Sequence, residues 1–271
     1  MGEGVSLVVD VGNSHTVIGI FRDKKVVDHW RLTTRRQATS DEVMNRIGGL
    51  LRFSTVMLHE IDFIGLSSVV PSLDRPWTKA LEKLFHKTVQ VVNHRNCLNL
   101  QVSYQNPAQA GADRLSNILA MLDRGYRDGI VVDMGTATTI DVMRNGAFVG
   151  GVIIPGINAS LDALTDHAAR LLPVTIEWPK KVVADNTDDA LRAGLLYGFV
   201  GQLEVLIGKV KAELGCENLP VVATGGWGKM IAKRTQVIDD YDPFLTLRGI
   251  RLVACFGNGS SLQKAAEEEE V

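Results

Sequence analysis

The chain of 271 residues is long enough for one large domain or two small ones. Hydrophobic residues make up 45% of it and charged residues 22%, an ordinary balance for a soluble globular protein. The formal net charge of −2 lacks the basic footprint of a dedicated nucleic-acid binder. Three cysteines, far apart and without C-x-x-C spacing, predict neither a disulfide framework nor a zinc site.

The expected location is the cytoplasm. The first residues lack the basic and then apolar leader of a signal peptide. The longest nearly apolar window, Ala147 to Ile157, is too short and too rich in Gly to span a bilayer. We therefore expect neither a membrane nor a nucleic acid as a partner.

Short β-branched runs alternate with longer helical patterns, which is typical of an α/β architecture. The predicted strands are Ser6–Asp10, Thr16–Arg22, Lys25–Arg31, Ile61–Ser67, Val89–Val92, Gly129–Asp133, Thr138–Arg144, Ala147–Pro155 and Pro220–Thr224. The predicted helices are Ser40–Phe53, Pro71–Leu84, Ala112–Arg124 and Asn186–Leu214. Residues 258–271 are predicted to form a frayed acidic tail.

One pattern occurs twice, as VVDVGNSHT at residues 8–16 and as VVDMGTATT at residues 131–139. In each, a buried strand ends on Asp, a turn of small residues follows, and a second strand begins. The corresponding residues are Asp10 and Asp133, Gly12 and Gly135, and Thr16 and Thr139. Because each segment also starts a strand–turn–strand–strand run, we predict two related halves, residues 1–110 and 111–257.

A turn of Gly, Asn, Ser and Thr after a buried strand exposes backbone N–H groups and hydroxyls at one end of a sheet. Such converging donors bind anions, phosphate above all. An Asp at the strand end adds a ligand for Mg²⁺ or another cation. A single copy would favour an ordinary β-hairpin, in which Asp and Gly serve the bend. Two matching copies favour two loops that hold the phosphates of one nucleotide.

Other phosphate motifs do not fit the chain. Lys229 in ATGGWGKM is followed by Met, so the segment is not a Walker loop. No G-x-G-x-x-G opens a helix after the first strand, as a dinucleotide site would require. The Gly-rich turn of VVATGGWG, residues 221–228, either flanks an adenine or ribose or simply connects a strand to a helix.

A second group of candidate residues lies in YQNPAQAGADRLSNIL, residues 104–119, where a Pro- and Gly-rich loop leads into a predicted helix. Asp113 in the first turn interacts favourably with the helix dipole, so its presence there does not by itself indicate a function. Arg114 is disfavoured at the same place, so it predicts an anionic partner such as a substrate carboxylate or phosphate. Asp113 would then accept a proton from a substrate hydroxyl. Because a helix start stabilises the ionised form, we expect a weak base that mainly orients this hydroxyl.

Five motifs occur in one order along the chain: DVGNSHT, NPAQAGADR, VVDMGTATTIDV, GGVIIPG and NTDDALRAGLLYG. Together they resemble the type III pantothenate kinase family of the sugar kinase/Hsp70/actin superfamily. The resemblance implies two ribonuclease-H-like (actin-like ATPase) domains with mixed sheets and a central nucleotide cleft. It also implies transfer of the ATP γ-phosphate to the primary hydroxyl of pantothenate, which gives 4'-phosphopantothenate in the first step of coenzyme A biosynthesis.

The family's functional residues carry over position by position. The implied ATP-binding residues are Asp10, Val11, Gly12, Asn13, Ser14, His15, Thr16, Val17 and Thr136. The implied pantothenate-binding residues are Tyr104, Gly111, Ala112, Asp113, Arg114 and Thr187, with Asp113 as the catalytic base. Thr187 could also cap the helix that it begins. Ser14 stands where the family usually has Thr, and it keeps the hydroxyl.

The resemblance also implies cofactors and an assembly. Asp10 would lie near the Mg²⁺ that accompanies ATP, directly or through water. Asp133 would hold a monovalent cation, K⁺ or NH₄⁺. Family members are dimers, so we expect a homodimer.

Two alternatives remain at the level of the sequence. One is another kinase of the same fold that acts on a sugar or acetate, against which the GADR motif and its spacing argue. The other is a non-catalytic, nucleotide-binding transcription-accessory factor. The joint presence of Asp10, Asp113 and Asp133 weighs against this factor, because a pure binder needs no base facing a hydroxyl.

Overall fold

The computed structural model describes residues 4–168 and 170–257, which fold into two compact units. The first unit combines the chain up to Arg127 with Met143–Gly150 and the chain from Phe244 onward. The second comprises Asp128–Val142 and Gly151–Pro243. This division differs from the predicted boundary at residue 110, and the halves 1–110 and 111–257 stay a prediction. The predicted acidic tail, residues 258–271, lies outside the described residues.

The first unit is built on a mixed five-stranded sheet with the strand order β3-β2-β1-β4-β5. Strand β1 pairs antiparallel with β2 and parallel with β4. The strands are β1 (Val5–Val11), β2 (His15–Arg22), β3 (Lys25–Thr33), β4 (Ile61–Ser68) and β5 (Val89–Val91). The helices before the chain enters the second unit are α1 (Ser40–Leu51), α2 (Pro71–Phe85) and α3 (Ala112–Asp123), with short 3₁₀ turns at Leu58–Glu60 and Pro107–Gln109.

The second unit contains a sheet of the same design. Its strands are β6 (Gly129–Met134), β7 (Ala137–Arg144), β8 (Ala147–Pro155), β9 (Val221–Gly225) and β10 (Asp240–Tyr241), in the order β10-β9-β6-β7-β8. Of this sheet, Met143–Gly150, which includes the end of β7 and the start of β8, belongs to the first unit. The helices of the second unit are α4 (Ile157–His167), α5 (Thr187–Glu213) and α6 (Gly228–Ala232). The last helix of the described chain, α7 (Leu245–Phe256), belongs to the first unit.

The two sheets repeat one topology. In each, the first strand of the unit is central, a hairpin partner and a third strand lie on one side, and two parallel strands lie on the other. A central strand covered on both faces needs apolar residues throughout. The runs before Asp10 and Asp133 satisfy that requirement apart from Ser6, since Val5–Val9 and Gly129–Val132 are buried and otherwise apolar or Gly. The predicted α/β class and the repeated start at residues 6 and 129 are therefore confirmed.

Each unit has its own apolar core. In the first, residues of β1 and β4 pack with α1 and α2, including Leu7, Leu66, Ile47 and Leu81. In the second, residues of β6 and β9 pack with one side of α5, including Leu196 and Leu203. Burying one Leu or Ile side chain contributes about 1.5–3 kcal/mol, so both sheets are held chiefly by these contacts.

Glycines let helix α7 lie close to the first sheet and to α3. A Cβ on Gly65 would lie 2.8 Å from the Cγ2 atom of Ile250 in α7. A Cβ on Gly249 would collide with the backbone of Ser116 in α3. The hydroxyl of Thr246 donates to Asn117 Oδ1 at 2.8 Å between the same two helices. Since Thr246 has one hydroxyl proton and the amide oxygen only accepts, this direction is fixed. Helix α7, at the end of the described chain, thus packs on α3 with the two backbones in close contact.

Helix α5 starts at a side-chain cap. Asn186 Oδ1 accepts a hydrogen bond from the backbone N–H of Asp189 at 2.9 Å, so Asn186 serves as the N-cap. Thr187 is the first helical residue and is exposed. Among the described residues, α5 is the one helix long and apolar enough to cross a membrane, with a mean hydropathy of 1.4 over its best window. Core helices of soluble proteins pass the same test, and α5 buries seven residues, among them Phe199 and Ile207.

The predicted elements are found within two residues of their expected ends. Among the described residues, the two 3₁₀ turns were not predicted, nor were four other elements: α4, α6, α7 and β10. Strand β10 has two residues and α6 has five, which is too short for a periodic pattern. In α7, Gly249 and Arg251 interrupt the apolar pattern, although both are buried.

Candidate active site

The first repeated turn is a tight hairpin at the end of the central strand. The backbone N–H of Gly12 donates to the carbonyl oxygen of His15 at 3.0 Å, and Gly12, Asn13 and Ser14 connect β1 to β2. A Cβ on Gly12 would lie 2.8 Å from that same carbonyl oxygen, so only Gly fits the bend. Asn13 at the tip is exposed, as a residue that meets a ligand must be.

Thr34, just after β3, stabilises this hairpin through hydrogen bonds to its backbone. Its hydroxyl donates to the carbonyl oxygen of Gly12 at 2.7 Å, and its backbone N–H donates to that of Ser14 at 2.9 Å. The hydroxyl of Thr16 lies 2.9 Å from that of Thr34. Because Thr34 has already donated its single hydroxyl proton, Thr16 is the donor in this pair. The predicted ATP-binding residue Thr16 is buried, and its hydroxyl is hydrogen-bonded to Thr34.

Asp10 occupies the end of the central strand and is partly exposed. The hydroxyl of Ser67, its register neighbour on β4, donates to Asp10 Oδ1 at 3.0 Å. Ser67 is fully buried, so it fixes the orientation of the carboxylate from below. A partly exposed, oriented carboxylate fits the role of a ligand near Mg²⁺, directly or through water.

The second repeated turn is one residue shorter. The N–H of Gly135 donates to the carbonyl oxygen of Ala137 at 3.1 Å, whereas Gly12 reaches three residues along to His15. The equivalent of Thr16 is therefore Thr138 rather than Thr139, and both Thr16 and Thr138 are buried. The predicted pairing of Thr16 with Thr139 is wrong by this one residue. The sequence pattern counts positions and cannot detect a change of turn length.

Gly156 supports the second turn. Its N–H donates to the carbonyl oxygen of Thr136 at 3.1 Å, and a Cβ at Gly156 would collide with the carbonyl oxygens of Gly135 and Thr136. Thr136 is exposed, and Asp133 is partly exposed at the end of β6. A carboxylate beside a turn of backbone carbonyls is a set of hard oxygen ligands, which suits a hard cation. Within residues 4–168 and 170–257, no cluster of three or more His, Cys, Asp or Glu side chains could hold a metal ion.

The third Gly-rich turn follows β9. Gly225 has a φ of +87°, and a Cβ there would lie 2.6 Å from the backbone nitrogen of Met134. The hydroxyl of Tyr241 donates to the carbonyl oxygen of Gly225 at 3.3 Å. The turn leads into α6, so it does connect a strand to a helix. Its part in binding an adenine or ribose stays a prediction.

Asp113 lies at the start of α3, one residue after the buried Ala112. Its Oδ1 accepts a hydrogen bond from the backbone N–H of Arg114 at 2.8 Å. A Cβ on the preceding Gly111 would lie 2.5 Å from this oxygen, so Gly111 leaves room for the carboxylate. Burial raises the pKa of Asp113, and the hydrogen bond and charge of Arg114 offset this only in part. Burial thus outweighs the helix start in the direction of this shift, and the expectation of a weak base that mainly orients the hydroxyl stays a prediction.

Arg114 is buried against two aromatic rings. Its guanidinium carbon lies 5.7 Å from the ring centre of Tyr104 and 5.1 Å from that of Phe148. The two rings stack with their centres 5.2 Å apart. Flat contacts of this kind orient a guanidinium and leave its edge for hydrogen bonding. Tyr104, Asp113 and Arg114, predicted from one motif, thus lie together in the first unit, whereas Thr187 and Thr136 belong to the second.

Several residues around these sites were missed at the level of the sequence. Phe148 lies on β8, far along the chain from Tyr104, and only its aromatic character could have signalled it. Ser67 ends a strand beside Asp10, and the parallel pairing that joins them cannot be read from either segment alone. Thr34 follows a predicted strand without any motif.

Solved structures define the class of fold. A Campylobacter jejuni protein named as a conserved member of the Baf family of transcriptional activators is 21% identical, with a TM-score of 0.59, and the match covers 98% of this chain and 100% of that one. The inorganic polyphosphate/ATP-glucomannokinase from Arthrobacter sp. strain KM is 13% identical, with a TM-score of 0.51, and the match covers 98% of this chain and 100% of that one. At these identities the likeness concerns the fold alone. The protein has the two-unit ribonuclease-H-like fold of the actin-like ATPases and sugar kinases.

Sequence relatives define the family. A model of the family described as type III pantothenate kinase matches residues 6–209. A type III pantothenate kinase from Halalkalibacterium halodurans is 39% identical over 91% of this chain and 97% of its own length. One from Desulfosudis oleivorans has the same identity over the same shares. The chain belongs to the type III pantothenate kinase family and is an ATP-dependent phosphotransferase, so the transcription-accessory alternative is not favoured.

Proposed function

We propose that this protein phosphorylates the primary hydroxyl of pantothenate with ATP, with Asp113 as the base that receives the hydroxyl proton. Pantothenate phosphorylation to 4'-phosphopantothenate is the reaction of the family and the first step of coenzyme A biosynthesis. The observation that carries the assignment of the base is the carboxylate of Asp113, which is partly exposed at the residue level but desolvated by its surroundings and accepts a hydrogen bond from the backbone N–H of Arg114. Burial raises its pKa and so makes it a better proton acceptor than an exposed aspartate.

The two repeated turns support phosphate binding. The proposed ATP-binding run Asp10 to Val17 forms the first hairpin, whose tip residue Asn13 is exposed, and the exposed Thr136 lies in the second turn. Phosphoryl transfer depends mainly on in-line positioning and on neutralisation of the charge of the phosphates. Mg²⁺ accompanies ATP as part of the substrate, and Asp10 would lie near it. Asp133 would hold a K⁺ or NH₄⁺ ion that adds positive charge to the same substrate.

Arg114 and its aromatic neighbours support recognition of pantothenate. Pantothenate carries a carboxylate, and a guanidinium oriented by Tyr104 and Phe148 suits such a group. Gly111 and Ala112 would contact the substrate through their backbone, since neither has a polar side chain. Thr187 would add a hydroxyl contact, and its exposure is compatible with that role. Capping of α5 does not occupy it, because Asn186 is the cap.

The assembly is proposed to be a cytoplasmic homodimer that needs neither nucleic acid nor membrane. The exposed side of α5 supports it. Gly194 and Gly198 have open space where a Cβ would project, and Tyr197 and Val205 are exposed nearby on the same helix. Sedimentation of the purified protein tests this, and a monomer at the concentrations used for the assay would contradict it.

A coupled assay tests the proposed function. Purified protein with ATP, Mg²⁺, K⁺ and pantothenate should release ADP and form 4'-phosphopantothenate. Glucose, N-acetylmannosamine and acetate serve as acceptors in parallel. Phosphorylation of one of these acceptors in place of pantothenate would refute the proposed substrate.

A further inference from the structure

The tip of the first hairpin carries two side chains that can either donate or accept. Asn13 has an amide with one accepting oxygen and one donating nitrogen, and neutral His15 has one accepting and one donating ring nitrogen. A phosphate group has only acceptors to offer at neutral pH, so it binds such side chains only through their donor atoms. What orients these two side chains therefore decides whether the tip attracts or repels phosphate.

Two arginines on the neighbouring segment engage the acceptor atoms of these side chains. Arg36 Nη2 donates to Asn13 Oδ1 at 3.2 Å. Arg31 Nη2 lies 3.1 Å from His15 Nδ1. Arginine has five donors and no acceptor, so the atom facing it must accept. The Asn13 amide and the His15 tautomer are thereby fixed, with the remaining proton of the neutral ring on Nε2.

The backbone acceptors of the same tip are engaged from the same segment. Thr34 donates to the carbonyl oxygens of Gly12 and Ser14, as described above. Residues 31–36 thus supply donors to four acceptor atoms in a row, one on each of the residues Gly12, Asn13, Ser14 and His15. This is a consistent arrangement rather than one isolated contact.

We propose that Arg31 and Arg36 are positioning residues that turn this tip into a surface of donors for the phosphates of ATP. Each arginine holds one acceptor atom and so directs the amide N–H₂ of Asn13 or the Nε2–H of His15 away from itself and towards the nucleotide. The inference rests on the proposed function, in which Asn13 and His15 contact ATP. Arg31 and Arg36 lie outside all of the sequence motifs. By leaving mainly donors at the tip, they would favour the binding of a polyanion.

The placement of the arginines fits this role. Arg31 lies on β3 opposite Val17 in the register, on the exposed side of the strand. Arg36 follows the end of that strand and is also exposed. Burial, and then the charge of Arg31, lower the pKa of His15, which keeps the ring neutral and makes a single tautomer meaningful. Arg35 is exposed between them and has no hydrogen bond to the hairpin among the contacts of the described residues.

Binding and kinetics of three variants test the proposal. Arg31→Met and Arg36→Met each remove one donor, and Arg35→Met removes the same charge from the same segment. We expect the Kd and KM for MgATP to rise about tenfold in the first two, as loss of one oriented hydrogen bond to a charged group predicts. The Arg35→Met value should change by no more than about twofold, with kcat nearly unchanged in all three. Equal effects in all three variants would overturn the proposal, because they would reflect charge alone.

The conservative variants and a double variant separate positioning from direct contact. Arg31→Lys and Arg36→Lys keep a donor and the charge, so both should recover most of the ATP affinity. In a His15→Ala background, Arg31→Met should have little further effect if Arg31 acts through His15. A full additional loss there would show that Arg31 binds the nucleotide itself and would overturn its positioning role.

The tautomer of His15 provides a readout that does not depend on activity. In the ¹⁵N spectrum of the nucleotide-free protein, at a pH where the ring is neutral, Nδ1 should be unprotonated and Nε2 protonated. Arg31→Met should give a mixture of tautomers, and Arg35→Met should not. A protonated Nδ1 in the unsubstituted protein would refute the inference, whether or not pantothenate is phosphorylated. Absence of pantothenate kinase activity with the expected tautomer would instead refute the proposed function.

Discussion

At the scale of single residues, desolvation of the Asp113 carboxylate has two opposed effects, one on its basicity and one on the stability of the protein. A carboxylate removed from water is a better base, and its charged form is also costly to keep in the folded protein. Arg114 and the helix start reduce this cost but do not remove it, since the net direction of the pKa is upward. The ionised Asp113 should therefore lower the free energy of unfolding of the protein.

Replacing Asp113 by Asn should abolish most turnover and stabilise the fold. The amide keeps an oxygen for the N–H of Arg114 and loses the desolvated charge. We expect kcat to fall at least about a hundredfold, the usual contribution of a general base, while the Kd for MgATP stays near that of the unsubstituted protein. Near-normal turnover at saturating ATP and pantothenate would remove Asp113 from the mechanism.

The same pKa gives a pH dependence with a defined sign. Because the pKa of Asp113 is higher in the folded than in the unfolded chain, the folded state binds more protons between the two values. The free energy of unfolding therefore falls as pH rises through that window, and the penalty is complete above the folded pKa. In chemical unfolding, Asp113→Asn should have a higher free energy of unfolding than the unsubstituted protein at neutral pH. This difference should become smaller as the pH is lowered. An advantage that grows in acid would contradict the raised pKa.

At the scale of elements, the packing of α7 on α3 positions the helix that carries Asp113. Gly249 allows the two backbones to approach, and Thr246 ties them together. Sequence reasoning found α3 because its motif and its apolar spacing agree. It did not find α7, since a glycine in a helix normally weakens the pattern, and its value here depends on a neighbour that the local sequence does not contain.

Gly249→Ala should destabilise the first unit. The added methyl group would collide with the backbone of Ser116, which cannot rotate away as a side chain can. We expect a loss of about 1–3 kcal/mol in the free energy of unfolding, together with a lower kcat if α3 shifts. The matched control is Gly48→Ala in α1, where the methyl group meets nothing within 4 Å and should stabilise by about 0.5–1 kcal/mol. Equal effects of the two substitutions would refute the packing argument.

The turns show where prediction at this scale stops. Both hairpins were predicted from their repeated letters, and both are present at the ends of central strands. Their different lengths were not predicted, because V-V-D-x-G-x-x-x-T fits the sequence of each without specifying where the second strand begins. Turn length follows from the bond of Gly135 to Ala137, which involves the backbone alone.

At the scale of the whole molecule, the duplicated topology supports a division of labour between two similar turns. The first has an aspartate held by Ser67 and a tip braced by residues 31–36, and the second has Asp133 beside the Gly135–Thr136 turn. This difference fits the proposed roles, in which the first turn would bind phosphate and the second would supply oxygens to a cation. The repeat itself was visible in the sequence, whereas these different supports come from segments outside the repeat.

Replacing Asp133 by Ala tests the cation role. Loss of the carboxylate should remove the stimulation of activity by K⁺ or NH₄⁺ and raise the KM for ATP about tenfold, the effect of one lost charge-assisted contact. Initial rates across a series of KCl concentrations, with choline chloride to hold ionic strength constant, measure this. An unchanged response to K⁺ would refute the assignment.

The first unit is assembled from stretches that are distant in the chain, and this affects how the protein is made. During synthesis, the strands β1 to β5 and helix α3 leave the ribosome early, but α7 emerges only after every residue of the second unit. The nascent protein must therefore carry an incomplete first unit, with the surface awaiting α7 uncovered, throughout that interval. A premature stop codon just before Leu245 would leave the codon for Asp113 intact and still deprive the encoded helix of its partner.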